Sequence, residues 1–496
     1  MKFDTKKILA GVGIIIFAAL LMFLTTCRDT ADRPAAEQNE QATEAVGIDL
    51  EDIEWVGIAI EWVDPGIDYD SLRFEDAGEG LYLLEAVLAN GSSKFGFMDG
   101  TGDIMIPMIY DHANIFTDGL AYVGLGVRKL FINPSGAEVL DISEYDSGSP
   151  FESGFAMVTR IYTEEIDSGV RLSHLRGLID ASGNEALPCE FEEAGAYENG
   201  ILWAQQDGKY AMFDSVGNRM TPHEFDYMSY AGEDLIIAQK DEKYGYLDRN
   251  GNVAIPFGFD MVGSFFDRRA FVVDNWLSGY INAQGEKITP IEFESAEDFS
   301  EGRAAVSMDG MFGFIDTQGD VVIPFIYDEV WPFNGGVAVV IEYVGRATTR
   351  VTSIDKYGEA AIIPNDMGYF KWNDTYIAYN DPAFGFGSVN FHMLALLDDE
   401  GNRLTGFDFS DIFDFYKGIA VVEEIDDLTF FYGLINQYGA KIIPAAHERV
   451  EIVDINTVII QSFEMDSDTG VGRSRVGIAT LPPDAATRQP EEDEAL

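Results

Sequence analysis

One module recurs along this chain, and nothing else in the sequence restricts the fold as tightly. Lys94-Phe95-Gly96-Phe97-Met98-Asp99 is followed by Gly102, by Ile106-Pro107 and by Tyr110-Asp111. The same order returns in Lys243-Tyr244-Gly245-Tyr246-Leu247-Asp248 with Gly251, Ile255-Pro256 and Phe259-Asp260. It returns again in Met311-Phe312-Gly313-Phe314-Ile315-Asp316 with Gly319, Ile323-Pro324 and Tyr327-Asp328. A module this short cannot bury its apolar face alone, so it must dock on copies of itself.

The Asp or Asn that closes the aromatic strand gives the spacing. It falls at Asp99, Asn133, Asp180, Asp214, Asp248, Asn282, Asp316, Asp355, Asp398 and Asn436, at intervals of 34, 47, 34, 34, 34, 34, 39, 43 and 38 residues. The basic unit is therefore 34 residues, and the longer intervals hold insertions. Ile161–Arg171 reads as an extended polar loop, and Lys371–Asn390 as a segment rich in aromatics, Gly and Asn. Insertions are where a regular scaffold departs from itself, so function is sought there.

Phe299–Pro324 shows what one unit builds. Arg303–Met308 reads as a strand, Asp309-Gly310 as a two-residue hairpin turn, and Met311–Ile315 as the next strand. Asp316–Gly319 is a four-residue turn, and Asp320–Ile323 a third strand that Pro324 stops. Phe325–Phe333 can supply a fourth, weaker strand. No stretch between these is long enough for a helix, so the expected fold is all-β: tandem antiparallel meanders. The glycine inside the aromatic strand (Gly96, Gly177, Gly245, Gly279, Gly313, Gly433) is expected to allow close packing of neighbouring units. The repeated Asp is expected to accept hydrogen bonds from its own turn amides, since no unit has the dense D-x-D-x-D pattern of a calcium loop.

Aromatic-Gly-aromatic-aliphatic-Asp-x-x-Gly, then Ile-Pro, Tyr/Phe-Asp and Phe-x-x-Gly-x-Ala-x-Val, resembles the bacterial WG-repeat (KWG-repeat) family from about Leu72 to Pro444. The Trp of that pattern is Phe95, Tyr244, Phe312 or Tyr432 here, and Leu130-Phe131 lacks the Gly. The resemblance implies a β-rich repeat scaffold, often exported or envelope-attached, and carries no catalytic residues with it.

Units of this size and strand order are expected to form propeller-like blades, with an open β-solenoid array as the alternative. Ten ruler positions and a partial unit after Pro444 make about eleven units, more than one ring of ~4–8 blades holds, so two rings are one option. Ile53–Val63 is a lone strand-like segment, placed as a strand that closes a ring by completing the last unit would be.

The ends read differently. Lys2, Lys6 and Lys7 precede the apolar run Ile8–Leu24, the layout of an export signal or membrane anchor over residues 1–27. Leu24-Thr25-Thr26-Cys27 resembles a lipoprotein signal, which makes Cys27 a candidate for lipidation. Either outcome attaches the chain to the cell membrane with its repeats (48–481) outside the cytoplasm. Residues 28–47 read as a disordered tether and 482–496 as a disordered acidic tail. With only Cys27 and Cys189, a disulfide framework is excluded, and Cys189 reads as a small buried apolar residue.

A formal net charge of −54 opposes binding to nucleic acid or anionic lipid. His112, His174, His223, His392 and His447 show no metal-ligand spacing, and no nucleophile elbow or phosphate loop occurs. No catalytic, cofactor or metal site is therefore expected. The leading expectation is a non-catalytic, envelope-attached scaffold that binds a protein, peptide or glycan through loops of one face. Phe370, Trp372, Tyr376, Tyr379 and Phe384 are its candidate binding residues. The alternatives are an extracytoplasmic hydrolase with carboxylates clustered at a ring centre, and a plain spacer.

Overall fold

The computed structural model describes residues 58 and 60–488, apart from 167–168, 199, 335, 344–348, 361–367, 373–374, 381–392, 398–403, 407, 414, 427–428 and 466–471. Cys27, the export segment and the tether lie outside the described residues. Among the described residues there is no helix, and none long and apolar enough to cross a membrane. The described residues form eleven antiparallel sheets of three or four strands, beginning at Ser71, His112, Ser147, Glu193, Tyr227, Met261, Ser295, Glu329, Gly368, Asp411 and Arg449. All fall in one compact unit, Gly47–Leu496.

The seventh sheet shows the plan: Ser295–Ala296, Arg303–Met308, Met311–Asp316 and Val321–Tyr327, each strand paired with the next. The turn after the third strand forms because the ruler side chain holds it. Asp316 Oδ1 accepts from the amides of Gln318 (2.9 Å) and Asp320 (3.0 Å). Asp99, Asn133, Asp180, Asp214, Asp248, Asn282, Asp355 and Asn436 do the same with the amides two and four residues on. Side-chain acceptance of this kind makes the turn independent of any metal.

The strand glycine has a cause other than the expected one. In the fifth sheet Tyr244 pairs with Phe259 but Tyr246 pairs with Ile255, so the outer strand carries two extra residues there. The bulge around Ile255-Pro256-Phe257 folds its backbone over Gly245, where a Cβ would lie 2.7 Å from the Ile255 carbonyl oxygen. Gly96, Gly177, Gly279, Gly313 and Gly433 meet the backbone of their own outer segment in the same way. Packing between units is not the reason; the crowding is inside one sheet. The Pro of the bulge sits on the outermost strand, where a missing amide hydrogen leaves no ladder bond unmade.

In the fourth, sixth and ninth sheets a Thr replaces the outer strand. Thr221, Thr289 and Thr405 are buried, and each hydroxyl accepts from an amide of the third strand (Met212, Tyr280, Leu396) at 2.9 Å. These sheets have three strands.

Apolar cores lie between successive sheets. Leu83, Phe97 and Ile106 of the first pack with Phe116, Val123 and Leu130 of the second. Tyr246 and Ile255 of the fifth pack with Phe265 and Val272 of the sixth. Cys189 is buried and unbridged in the core shared by the second and third sheets. The ends of the array meet. Ile60–Trp62 pairs with the last strand, Gly472–Thr480, and Leu72, Phe74 and Leu84 of the first sheet share a core with Ile459, Val476 and Ile478. Arg449 donates to the Phe74 carbonyl (3.0 Å) and lies 4.8 Å over the Phe74 ring. Residues 482–488, read from the sequence as tail, form turns here. Ala485 is buried, and Asn436 Nδ2 donates to its carbonyl at 2.9 Å.

Candidate binding face

The hairpin between the second and third strands is the part of the unit that varies. Its short form, Ala121–Leu125 with Arg128–Ile132, has five residues per strand. Tips of this kind need backbone with φ above zero at both central residues, and Asp309 (53°) and Gly310 (76°) supply it. The acid of the Tyr/Phe-Asp motif then anchors the tip of the sheet it opens. Asp111 Oδ2 accepts from Gly126 N (2.7 Å), Asp260 Oδ2 from Asn275 N (2.7 Å) and Glu294 Oε2 from Gly310 N (2.8 Å). The other oxygen takes the lysine of the preceding sheet: Lys94 reaches Asp111 at 2.6 Å and Lys243 reaches Asp260 at 2.5 Å. The lysine hydrogen bond and the tip amide hold both carboxyls below their ordinary pKa. In these units, and through Lys209 and Asp226, one Lys and one Asp tie a hairpin to its neighbour.

Among the described residues five sheets lengthen this hairpin; in the first, Leu81–Val87 and Ser93–Asp99 have seven residues each. In the third, Phe155–Ile166 and Gly169–Asp180 have twelve residues each. The flanking strands pair only as far as Thr159 and Arg176, so 160–166 and 169–175 form a two-stranded ribbon beyond the flanking strands. The segment read from the sequence as a loop is therefore strand. The eighth (Val337–Tyr343, Thr349–Asp355), tenth (Ile419–Asp426, Thr429–Asn436) and eleventh (Thr457–Met465, Gly472–Thr480) are lengthened as well. Because the hairpin is the same element of each unit, the extensions leave the array at the same end of their sheets. They carry exposed apolar side chains: Ile161, Tyr162, Val170 and Leu172 on the third, Tyr343, Phe430 and Phe463 on the others.

Phe370 and Trp372 lie in the first strand of the ninth sheet, Gly368–Trp372, and Tyr376 and Tyr379 in the second, Thr375–Asn380. The register pairs Gly368 with Tyr379, Phe370 with Ile377, Lys371 with Tyr376 and Trp372 with Thr375, so the four lie on two paired strands but none pairs with another. Their side chains, and Phe384 entirely, lie outside the described residues. The sequence reading passed over Trp276. It stands at the tip of the sixth hairpin, where Asp309-Gly310 and Asp207-Gly208 have Gly, and it is 92% exposed. A large aromatic at a hairpin tip that other units give to Gly or to a polar residue was the signal.

The titratable groups that a catalytic reading would use are scattered. Burial raises the Glu297 carboxyl and lifts its neighbour Asp298 to about 6. Burial also raises Asp411, to which Glu423, paired opposite it in the tenth sheet, adds a like charge. His447 is fully buried against Ser462 (2.5 Å), and burial lowers it to about 4, so it is neutral at pH 7. His112 packs among Phe95 and Tyr122, and His223 between Phe191 and Phe213. Among the described residues no three His, Cys, Asp or Glu are grouped to hold a metal ion.

The sequence pattern of the WG containing repeat matches six segments, 95–126, 131–160, 177–210, 244–275, 279–311 and 312–342. No curated protein matches the chain. Two solved structures are similar in part. One is a puromycin hydrolase (13% identity, TM-score 0.24, 65% of this chain and 61% of that one). The other is the V. cholerae biofilm matrix protein Bap1 (12% identity, TM-score 0.23, 84% of this chain and 87% of that one). The chain spans about three fifths of the hydrolase's length. Scores this low carry no argument about either fold or function.

Proposed function

This chain belongs to the WG-repeat family, and from that premise we propose that it is a non-catalytic scaffold. It presents lengthened hairpins to a partner while its N-terminal segment attaches it to the outer side of the cell membrane. The observation that carries the reading is the placement of the extensions. They occur in one element of the unit and expose apolar side chains, Ile161, Tyr162, Val170 and Leu172 on the third sheet foremost. Exposed aromatic and aliphatic side chains held on rigid β ribbons are the usual anchors of a protein or glycan partner. The charge of −54 directs the choice toward neutral or basic partners and away from nucleic acid.

A photo-crosslinking amino acid tests this. Placed at Tyr162, Tyr343 or Phe430 in the full chain, it should yield a discrete adduct with an envelope component. Placed at Met105 or Val321 on outer strands, where apolar side chains are equally exposed, it should yield none. Equal yields from both sets, or no adduct from the hairpins, would reject the hairpin end as the binding face and leave a spacer.

A further inference from the structure

We propose that the tip of the sixth hairpin, Trp276 with the groove beside it, is a carbohydrate site that takes a neutral hexopyranose chain. The proposal rests on the binding role above and names one ligand class and one place for it.

Both tip residues stand at positive φ, 53° at Asn275 and 66° at Trp276. Gly occupies the second of these places at Gly208 and Gly310, and Glu242 holds it in the fifth hairpin at 63°, so the position tolerates a side chain. Trp276 keeps a strained backbone and also leaves its indole 92% exposed. The positive φ belongs to the tip's turn and recurs at Glu242; the exposed indole is what sets Trp276 apart, since it packs on nothing among the described residues. The tip is also fixed in place: Asn275 N donates to Asp260, which Lys243 holds in turn.

The residues on either side of Trp276 line a groove of about 680 Å³. The groove exists because the sixth sheet lacks an outer strand, and the chain crosses there as a Thr-Pro turn instead. Leu277, Pro290 and Ile291 give it an apolar side, and Asp274, Asn275 and Lys287 a polar one. The groove is shallow and open, so a chain would lie along it and not inside it. A pyranose presents one apolar face of C–H groups and a rim of hydroxyls. The indole offers a flat surface for the face, Asp274 and the Asn275 carbonyl oxygen accept from hydroxyls, and Asn275 and Lys287 donate to them. A protein partner needs roughly 800 Å² per side around an apolar centre, more than one indole and a half-polar groove supply. The acidic surface disfavours polyanionic sugars.

Affinity electrophoresis of the detergent-solubilised full chain through gels containing mannan, dextran, soluble β-glucan or alginate provides the test. At least one of the three neutral polysaccharides should retard the protein, and alginate should not. Trp276→Gly should weaken retardation at least tenfold and melt at or above the wild-type temperature, since Gly relieves the positive φ. Trp276→Phe should retain most of the binding, and Trp331→Ala, another exposed Trp, should behave as wild type. The site is overturned if no neutral polysaccharide retards the protein, if alginate does so as strongly, or if Trp276→Gly binds unchanged. Lost binding together with a lowered melting temperature would assign Trp276 to the fold and overturn it equally. Failure here with hairpin crosslinks intact removes the sugar site alone.

Discussion

Gly245 and Gly258 lie in the same sheet and answer to different constraints. A Cβ on Gly245 would come within 2.7 Å of the Ile255 carbonyl oxygen and 2.9 Å of Phe257 N, both backbone atoms that cannot rotate away. A Cβ on Gly258 meets nothing within 4 Å. Gly245→Ala should therefore cost about 2–4 kcal/mol, the range for changes that force a close-packed backbone to move. Gly258→Ala should stay within about 0.5 kcal/mol, as surface substitutions do. Urea unfolding of the two variants decides it, and equal losses would show that the bulge does not crowd the strand. The motif's other fixed residues have equally local reasons. The ruler Asp closes its own turn, and the Lys and second Asp meet across two sheets. Each was visible in the sequence as a recurrence, but only the turn had a visible cause. The glycine was assigned to the wrong contact because a bulge inserts residues in the partner strand, and alternation of apolar residues does not reveal a shifted register.

At the level of elements, the ribbon of the third sheet is separable from the fold. Arg160 pairs with Leu175, and neither flanking strand reaches past this point. Replacing Ile161–His174 by Asn-Gly should restore a two-residue hairpin and change stability by less than about 1 kcal/mol, because little apolar surface is buried in the removed segment. Thermal unfolding checks this. A loss several times larger would mean that the ribbon braces the array, and its role as a projecting arm would fall. The extra residues of the third, eighth and tenth units were legible as interval lengths. Their strand conformation was not, because polar and acidic residues at a hairpin end carry little β preference of their own and follow the pairing of the strands beneath them. The Thr that stands in for an outer strand was likewise invisible, since Thr-Pro (Thr-Gly at Thr405) in place of Ile-Pro reads as a minor variation.

The whole molecule depends on a short clasp. Ile60–Trp62 makes three pairs with the last strand, and Val63 N adds a bond to the Val476 carbonyl at 2.9 Å. Arg475 lies 4.4 Å over the Trp62 ring, and the ring covers Gly477, where no Cβ would fit. Beneath the clasp, the first and last sheets share one apolar core. Deleting Ile58–Val63 should open that seam and leave the middle of the array intact. Amide hydrogen exchange in Ser71–Gly78, Leu81–Val87 and Gly472–Thr480 should quicken about tenfold or more, while Arg303–Met308 and Met311–Asp316 should keep wild-type protection, as separate cooperative units do. Uniform loss along the chain, or no change at the seam, would show that the clasp does not govern closure.

The sequence alone determined that the chain is a tandem antiparallel β repeat, how many units it has, and where their turns fall. Those follow from contacts between residues close in the chain, whose spacing survives in the order of letters. Tertiary structure decided the rest: that the outer strand bulges over the glycine, that the insertions rise as ribbons at one end of their sheets, that Trp276 sits strained and bare beside a groove, and that the two ends meet. Each of these joins residues through register or through contacts between sheets, and such contacts leave no periodic mark in the sequence.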